Sequence, residues 1–256
     1  GMLDDLTNLQ ALLKDSTLLA TRGYIAGEWC DGENGKTFPV FNPARGDVIT
    51  DVADISRTQT AEAISIAEKA QKLWAARPAK ERSNLLRNWY NLMMENQEDL
   101  ATILTAEQGQ PIEEAKGEIA YGASFIEFFA EEAKRVYGET IPGHQSDKRI
   151  TVLKQPVGVA ASITPWNFPN AMITRKAGPA LAAGCAFIAR PAAETPLSAL
   201  AMGILADRAG LPKGILSIIP SSRSSEIGKE FCENPIIRKL TFTGSTEVGR
   251  ILLKQA

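Results

Sequence analysis

The chain has 256 residues, of which 44% are hydrophobic and 23% charged, and its formal net charge is −2. These values are typical of a globular protein with a sizeable core, and they give no electrostatic reason to expect nucleic acid or an anionic membrane as a partner. No apolar run approaches the roughly 20 residues that span a bilayer. The three cysteines lack metal-type spacing and no secretory pattern opens the chain, so we expect a cytoplasmic protein without a metal centre.

The first half of the chain predicts mainly helices. Ser56 and Gln59 have the spacing of a capping box that opens a helix. A second helical pattern begins at Pro78 and is stopped by Gly109, and a third runs over 112–136. The buried stripe of this third helix is predicted to contain Ile119, Phe125, Ile126 and Phe129.

From residue 157 onward, strand and helix patterns alternate. Strands are predicted at 157–163, 185–189, 215–220 and 239–243. Helices are predicted near 171–183, from Pro196 to Gly210, near 224–233, and from Gly244 to the end of the chain. Four strands that alternate with helices indicate an α/β fold with a parallel, doubly wound, Rossmann-like sheet.

The segment 164–169, Thr-Pro-Trp-Asn-Phe-Pro, follows the first of these strands directly. Polar residues at the carboxyl end of such a strand lie where α/β proteins bind ligands. Asn167 is therefore a candidate hydrogen-bond donor to a reacting oxygen, and the flanking prolines limit its backbone freedom. The alternative is that the segment is only a rigid turn between strand and helix.

Two further segments lie at predicted strand ends. Gly244 and Ser245 open the turn after the last strand, where free N–H groups favour an anion, although an ordinary capped helix is the alternative. This turn nearly matches a phosphate-binding P-loop, but Arg250 and Ile251 replace the required Lys and Ser/Thr. Arg190 ends the second strand and is either a ligand for ribose or phosphate or simply solvated.

Several motifs occur in an order that resembles the NAD(P)-dependent aldehyde dehydrogenase family. They are the segment 164–169, Arg190–Ala192 followed by Thr195–Ala199, and Phe242–Ser245. The stretches 172–185 and 137–144 narrow the resemblance to the bacterial succinate-semialdehyde dehydrogenases. The resemblance spans roughly residues 20–256, although the G-x-G-x-x-G dinucleotide fingerprint follows none of the predicted strands.

The resemblance implies roles for individual residues. Asn167 would donate its amide to the oxyanion of a thiohemiacetal, and Arg175 would pair with the substrate carboxylate. Trp166 would line the nicotinamide side of the cofactor site. The adenosine ribose would contact Arg190, Pro191, Ala192 and Ala193. Gly244 and Ser245 would contact the pyrophosphate, and Asn167 would also belong to the cofactor site.

Three departures from the family pattern concern the cofactor. Arg190 stands where the family normally has Lys, which keeps the charge but changes its geometry. Ala193 replaces a position that is Glu in many NAD-preferring members, and the missing carboxylate would remove repulsion of a 2′-phosphate. The cofactor is therefore predicted to be NADP in preference to NAD. The segment 220–223 also lacks a glycine that is common after the third strand.

The resemblance also implies a domain division and a partial active site. Residues 1–20 would form an N-terminal extension, 21–137 and 157–256 the cofactor-binding domain, and 138–156 a segment of the oligomerisation arm. The family's nucleophilic Cys and its Glu base lie beyond the segment that stops at Ala256, so the catalytic domain would be absent. None of the three cysteines lies in an activating motif, and buried inert thiols are expected.

We therefore predict that this chain alone does not oxidise its aldehyde substrate, and that it forms a homo-oligomer through uncovered surface. The alternative is a non-catalytic remnant that acts as a nucleotide-binding or interaction module.

Overall fold

The protein is organised around a mostly parallel sheet. The computed structural model describes residues 5–138, 158–242 and 250–253. The strands are β1 (Gly23–Ile25), β2 (Glu28–Cys30), β3 (Thr37–Phe41), β4 (Val48–Ala53), β5 (Val159–Ile163), β6 (Ala186–Arg190), β7 (Leu216–Ile218), β8 (Ile237–Phe242) and β9 (Arg250–Leu253). Seven of them form one sheet in the order β2-β1-β7-β6-β5-β8-β9, and β3 pairs with β4 separately. Strands β5 to β8 are parallel, so the predicted α/β class with a parallel sheet is confirmed.

The helices cover both faces of this sheet. They are α1 (Asp5–Leu12), α2 (Arg57–Ala76), α3 (Ala79–Glu95), α4 (Gln97–Gln108), α5 (Ile112–Gly138), α6 (Ala171–Ala182), α7 (Pro196–Ala209) and α8 (Ser224–Glu233). One core lies between the sheet and α3 to α7, and the second lies between the sheet and α2 with α8. Because successive strand residues point to opposite faces, Phe187 enters the first core and Ile188 the second. Among the described helices, none has the length and apolarity needed to cross a membrane.

The predicted capping box is confirmed at the start of α2. The Ser56 hydroxyl accepts the Gln59 N–H at 3.1 Å, and the Gln59 side chain accepts the Ser56 N–H at 3.0 Å. The residues before β1 also pack on the domain: Leu18 is fully buried, and the Asp99 carboxylate accepts the N–H groups of Lys14 and Asp15, both at 2.9 Å. The domain boundaries, including an extension over 1–20, stay a prediction.

The single helix predicted from Pro78 to Gly109 is wrong, because the chain forms two helices there. They are separated at Asn96, whose φ of −107° and ψ of 18° leave the helical region. The Asn96 side chain donates to the Leu92 carbonyl at 2.8 Å and so satisfies the end of α3. A uniform apolar spacing on both sides of Asn96 concealed this break.

The predicted helix at the end of the chain is also wrong where the structure describes it. Residues 250–253 form β9, which pairs antiparallel with β8 in a register that joins Leu240 to Leu252. The aliphatic residues 251–253 suit a strand, and the pairing satisfies the outer edge of β8. Tertiary pairing therefore outweighs the helix-start pattern.

The strand order places the carboxyl ends of the parallel strands along one edge. Strand β5 lies between β6 and β8, so the chain proceeds first to one side of β5 and later to the other. In open α/β sheets, ligands bind outside the carboxyl ends near such a reversal. A ligand site is therefore expected in the loops that follow β5, β6 and β7.

Candidate functional site

The loop between β5 and α6 carries Asn167 at this edge of the sheet. Its first residue is fixed because the Thr164 N–H donates to the Arg190 carbonyl at 3.1 Å. Trp166 is 53% exposed, and Asn167 is half-buried. The Asn167 Oδ1 atom is buried and has no hydrogen-bond partner among the described residues.

The end of the same loop is held by Glu118 of α5. Its Oε2 atom accepts the backbone N–H groups of Asn170 at 2.9 Å and Ala171 at 3.2 Å. Its Oε1 atom accepts from the Gln110 side chain at 2.8 Å, and the residue is only 7% exposed. Asn170 makes no side-chain cap of its own. The Glu118 carboxylate therefore caps the N-terminus of α6 from another helix.

A cavity of about 550 Å³ opens between α5 and α6 beside this loop. It is lined by Gln110, Glu114, Gly117, Glu118, Tyr121, Phe168, Ala171, Met172 and Arg175. Arg175 is the one cation among these lining residues, and its guanidinium carbon lies 5.9 Å from the centre of the Phe125 ring. The structure thus brings the predicted carboxylate-binding residue to the same cavity as the Asn167 loop, with Tyr121, Phe168 and Met172 as apolar walls.

The aromatic stripe of α5 is only partly buried. Ile119 and Ile126 are buried as predicted, whereas Phe125 and Phe129 are half-buried. A second, open cavity next to α5 explains the difference, since both rings line it together with the exposed Phe128.

Arg190, at the end of β6, is buried and not solvated. The residue is 5% exposed, and its Nη2 atom donates to the Ser221 carbonyl at 2.6 Å. Its Nε atom has no partner among the described residues. Burial lowers the pKa of this guanidinium, and the nearby Glu194 and Asp54 carboxylates oppose that shift. The alternative of a solvated arginine is therefore wrong, because the turn after β7 folds over the side chain.

The turn after β7 is held by Asp54, which follows β4. The Asp54 carboxylate accepts the Ser222 N–H at 2.9 Å, the Ser221 hydroxyl at 3.3 Å and also the Ser222 hydroxyl. Asp54 is itself buried. These bonds keep the Ser221 carbonyl in place for Arg190.

The helices that follow β5, β6 and β7 differ at their N-termini. Glu118 caps α6, and Glu107 caps α7 by accepting the N–H groups of Leu197 and Ser198, both at 2.7 Å. Burial raises the pKa of Glu107 to about 7, against the opposing hydrogen bonds from Ser198 and Leu197. Helix α8 instead begins after Arg223 with no side-chain cap. Of these three helix starts, only that of α8 receives no buried carboxylate from another helix, and its first turn carries Glu226, which pairs with Arg223 at 3.6 Å.

The other predicted cofactor residues lie next to Arg190. Pro191 and Ala192 are buried, and Ala193 is half-buried at the carboxyl edge of the sheet. No carboxylate stands at position 193, although the exposed Glu194 follows it. Gly244 and Ser245 lie outside the described residues. The predicted oligomerisation segment 138–156 also lies outside them, except for Gly138.

The cysteines lie away from the Asn167 loop. Cys185 is buried at the amino end of β6, the opposite edge of the sheet from Asn167. Cys30 is half-buried on β2, where burial raises the pKa of its thiol, and Cys232 is exposed on α8. The expectation of a buried thiol is therefore wrong for Cys232. In the described part of the chain, no group of His, Cys, Asp or Glu side chains is arranged to hold a metal ion.

Two carboxylates and the cavity walls were missed by the sequence prediction. Glu118 lies on the same helical face as the buried Ala115 and Ile119, and Glu107 is likewise buried within α4. A single carboxylate on a buried face indicates a fixed internal partner, since an unpaired buried charge is costly. That pattern could have identified both residues, although not the helices that they cap.

The fold is an α/β architecture with a mostly parallel sheet flanked by helices, and sequence comparison identifies the family. The aldehyde dehydrogenase family profile matches residues 29–256, and the chain belongs to this family.

Individual relatives agree with this assignment. The chain is 59% identical to glutarate-semialdehyde dehydrogenase of Pseudomonas aeruginosa and 57% identical to succinate-semialdehyde dehydrogenase [NADP(+)] of Escherichia coli. Each comparison extends over 95% of this chain and 50% of the relative, so the chain spans about half the length of these curated relatives. The crystal structure of succinate-semialdehyde dehydrogenase from Burkholderia pseudomallei superposes with a TM-score of 0.83 at 51% identity, covering 92% of this chain and 48% of that one. The predicted resemblance to succinate-semialdehyde dehydrogenases is confirmed.

Proposed function

We propose that this chain is the NADP-binding part of an enzyme that oxidises succinate semialdehyde, or a closely similar aldehyde with a terminal carboxylate, to the corresponding acid. The observation that carries the proposal is the uncapped N-terminus of α8 beside the buried Arg190. The aldehyde dehydrogenase family and the names of the relatives support the reaction class.

The residues at the carboxyl edge fit a nucleotide that carries a 2′-phosphate. Arg190 places a buried positive charge beneath this edge of the sheet, and the first turn of α8 offers backbone N–H groups without a side-chain cap. Ala193 brings no negative charge to this position. The adenosine ribose and its phosphate would therefore lie between the segment 190–193 and the start of α8.

Asn167 is proposed to stabilise negative charge on the substrate oxygen. When a thiolate adds to the aldehyde carbon, the carbonyl oxygen becomes an oxyanion, and an amide N–H of Asn167 would donate to it. The position of the half-buried Asn167 in the loop after β5, at the carboxyl edge of the sheet, supports this role. When bound, NADP accepts the hydride that leaves the same carbon, and Trp166 is proposed to line that side of the site.

The cavity between α5 and α6 suits a short aldehyde with a carboxylate at its far end. Its apolar walls would contact the methylene groups, and Arg175 would form a charge-assisted pair with the carboxylate. Binding of succinate in this cavity can be followed by chemical shift changes of the Tyr121 and Met172 side chains. Arg175→Ala is expected to abolish those changes, whereas changes that persist in the variant would contradict the role of Arg175.

We also infer that the chain by itself does not turn over the aldehyde. Cys30 and Cys185 are removed from the Asn167 loop and are partly or fully buried, and Cys232 is exposed on α8. Covalent capture requires an activated thiolate together with a base. Turnover of succinate semialdehyde by the purified chain with NADP would contradict this inference.

Cofactor binding can be tested directly by calorimetry. NADP is expected to bind at least about tenfold more tightly than NAD, a difference of about 1.4 kcal/mol. The fragments 2′,5′-ADP and 5′-AMP test the same contact without the nicotinamide, and 2′,5′-ADP should bind more tightly. Equal affinities would contradict the phosphate site, and the absence of all binding would favour a non-catalytic interaction module.

Self-association and a cytoplasmic location stay predictions. The exposed aromatic rings of Tyr121 and Phe128 support self-association because uncovered apolar surface favours contact between protein molecules. Light scattering tests it, and a monomer at all concentrations would contradict it.

A further inference from the structure

We propose that Glu118 is a positioning residue that fixes the Asn167 loop from α5. This inference rests on the proposed function, because Asn167 has its catalytic role only there. Glu118 is more than nine-tenths buried, and both of its carboxylate oxygens accept hydrogen bonds. Oε2 accepts from the N–H groups of Asn170 and Ala171, and Oε1 accepts from the Gln110 side chain.

The loop is held at two points, and Glu118 supplies the second. At the first point, the Thr164 N–H donates to the carbonyl of Arg190 in the adjacent strand. At the second point, three residues after Asn167, the Asn170 N–H donates to Glu118. Only the segment 165–169 lies between them, and its two prolines restrict the remaining backbone freedom. The position of Asn167 therefore depends on both contacts.

Close packing of α5 against the loop supports the same role. A Cβ atom built at Gly122 would lie 2.7 Å from the Thr174 hydroxyl oxygen and 2.9 Å from the Asn170 Oδ1 atom. Both side-chain polar atoms of Asn170 are buried without partners among the described residues. Since Asn170 makes no side-chain cap to α6, Glu118 is the side-chain acceptor that the structure shows at this helix start.

Glu107 provides a matched control for an experiment. It also presents a buried carboxylate to two backbone N–H groups at a helix start, but it caps α7 and not the Asn167 loop. A purely structural role for Glu118 predicts that Glu118→Ala and Glu107→Ala have the same kind of effect. A positioning role predicts that only the Glu118 variants change the environment of Asn167.

The experiment uses the ¹⁵N-labelled chain without any nucleotide, with the Asn167 side-chain amide assigned through Asn167→Ala. Glu118→Ala should shift this resonance and that of the Trp166 indole, and it should accelerate exchange of the Asn170 and Ala171 amides by about tenfold or more. Glu118→Gln keeps the side-chain shape and one acceptor, and it should restore part of the wild-type spectrum.

Glu107→Ala should accelerate exchange only at the start of α7 and leave the Asn167 resonance in place. If Glu118→Ala does not fold, the spectra and amide exchange of Glu118→Gln are compared with those of Glu107→Gln. The proposal is overturned if the Glu118 variant leaves the Asn167 and Trp166 resonances unchanged, or if the Glu107 variant shifts them equally. Because no nucleotide is present, this outcome is independent of whether NADP binds, so failure of the proposed function is recognised separately by calorimetry.

Discussion

The N-termini of α6 and α7 contrast with that of α8. The first two receive buried carboxylates from α5 and α4, whereas α8 starts without a side-chain cap beside the cationic Arg190. In a parallel sheet, the helix that follows each strand begins at the carboxyl edge of the sheet. The partial positive charge of each N-terminus therefore lies at that edge, where it can bind an anion. Two of these helix starts are filled internally, and the proposed phosphate site lies at the third.

The glycine fingerprint is absent from the turns that lead into α6, α7 and α8. A G-x-G-x-x-G turn allows a pyrophosphate to approach a helix start that is open. The α6 start after β5 is instead occupied by Glu118, whereas the uncapped α8 follows the segment 220–223, which also has no glycine.

The largest expected effect is the loss of a carboxylate cap. Glu118→Ala would leave two backbone N–H groups and the Gln110 amide without their acceptor in a buried region. We expect the free energy of unfolding to fall by about 4 kcal/mol. Urea unfolding measures this free energy, provided that its dependence on urea concentration is unchanged. Arg223→Ala at the uncapped α8 is the control, and its free energy of unfolding should fall little. Equal losses in the two variants would remove the contrast between capped and open helix starts.

The second prediction concerns the pH dependence that Glu107 confers. Its pKa is about 7 in the folded chain against an ordinary 4.5, so between these values only the folded state keeps the proton. Stability should therefore fall as the pH rises from 4.5 to 7 and level off above 7, with a change on the order of 3 kcal/mol. Glu107→Gln should flatten unfolding curves measured across this window. A variant with the wild-type slope would show that another group titrates.

The third prediction restores a carboxylate at the open end. Ala193→Glu should weaken NADP binding by about tenfold, or about 1.4 kcal/mol, because the new charge repels the 2′-phosphate. NAD binding should change less. Ala193→Gln matches the size without the charge and should keep most of the NADP affinity in calorimetry. A comparable loss in both variants would mean that bulk, and not charge, governs this position.

The smallest expected effect is a gain in stability. Arg223→Asn would provide α8 with the N-cap that it lacks without adding a charge beside Asp54 and Glu226, and the free energy of unfolding should rise by about 0.5 kcal/mol after loss of the Arg223–Glu226 ion pair. The new side chain would occupy an N–H group that a phosphate would use, so NADP should bind more weakly. Thermal unfolding and calorimetry on one preparation test both effects. A more stable variant with undiminished NADP affinity would contradict a phosphate site at the start of α8.

Much of the fold could be predicted from local patterns. The alternation after residue 157 predicted strands β5 to β8 and helices α6 to α8, and the Ser56–Gln59 spacing predicted the start of α2. One error arose where another strand decided the structure, because residues 250–253 pair with β8. The other was local: Asn96 ends α3 within a continuous apolar pattern by bonding to the Leu92 carbonyl.

The candidate site shows the same limit. Motif order pointed to Asn167, Arg175 and Arg190. Arg175 lines the cavity between α5 and α6, and Asn167 lies in the loop whose Phe168 lines the same cavity. Whether Arg190 is solvated depends on the turn after β7, which is far away in the sequence.

The sequence by itself determined the family, the parallel sheet and the loops that carry the candidate residues, because strand periodicity, caps and motifs are encoded by neighbours along the chain. Only the tertiary structure decided which helix starts are filled and which is open. Glu118 lies 52 residues before Asn170, and Glu107 lies 90 residues before Leu197. A buried carboxylate needs a partner, but its identity depends on which helix the folded chain brings against it.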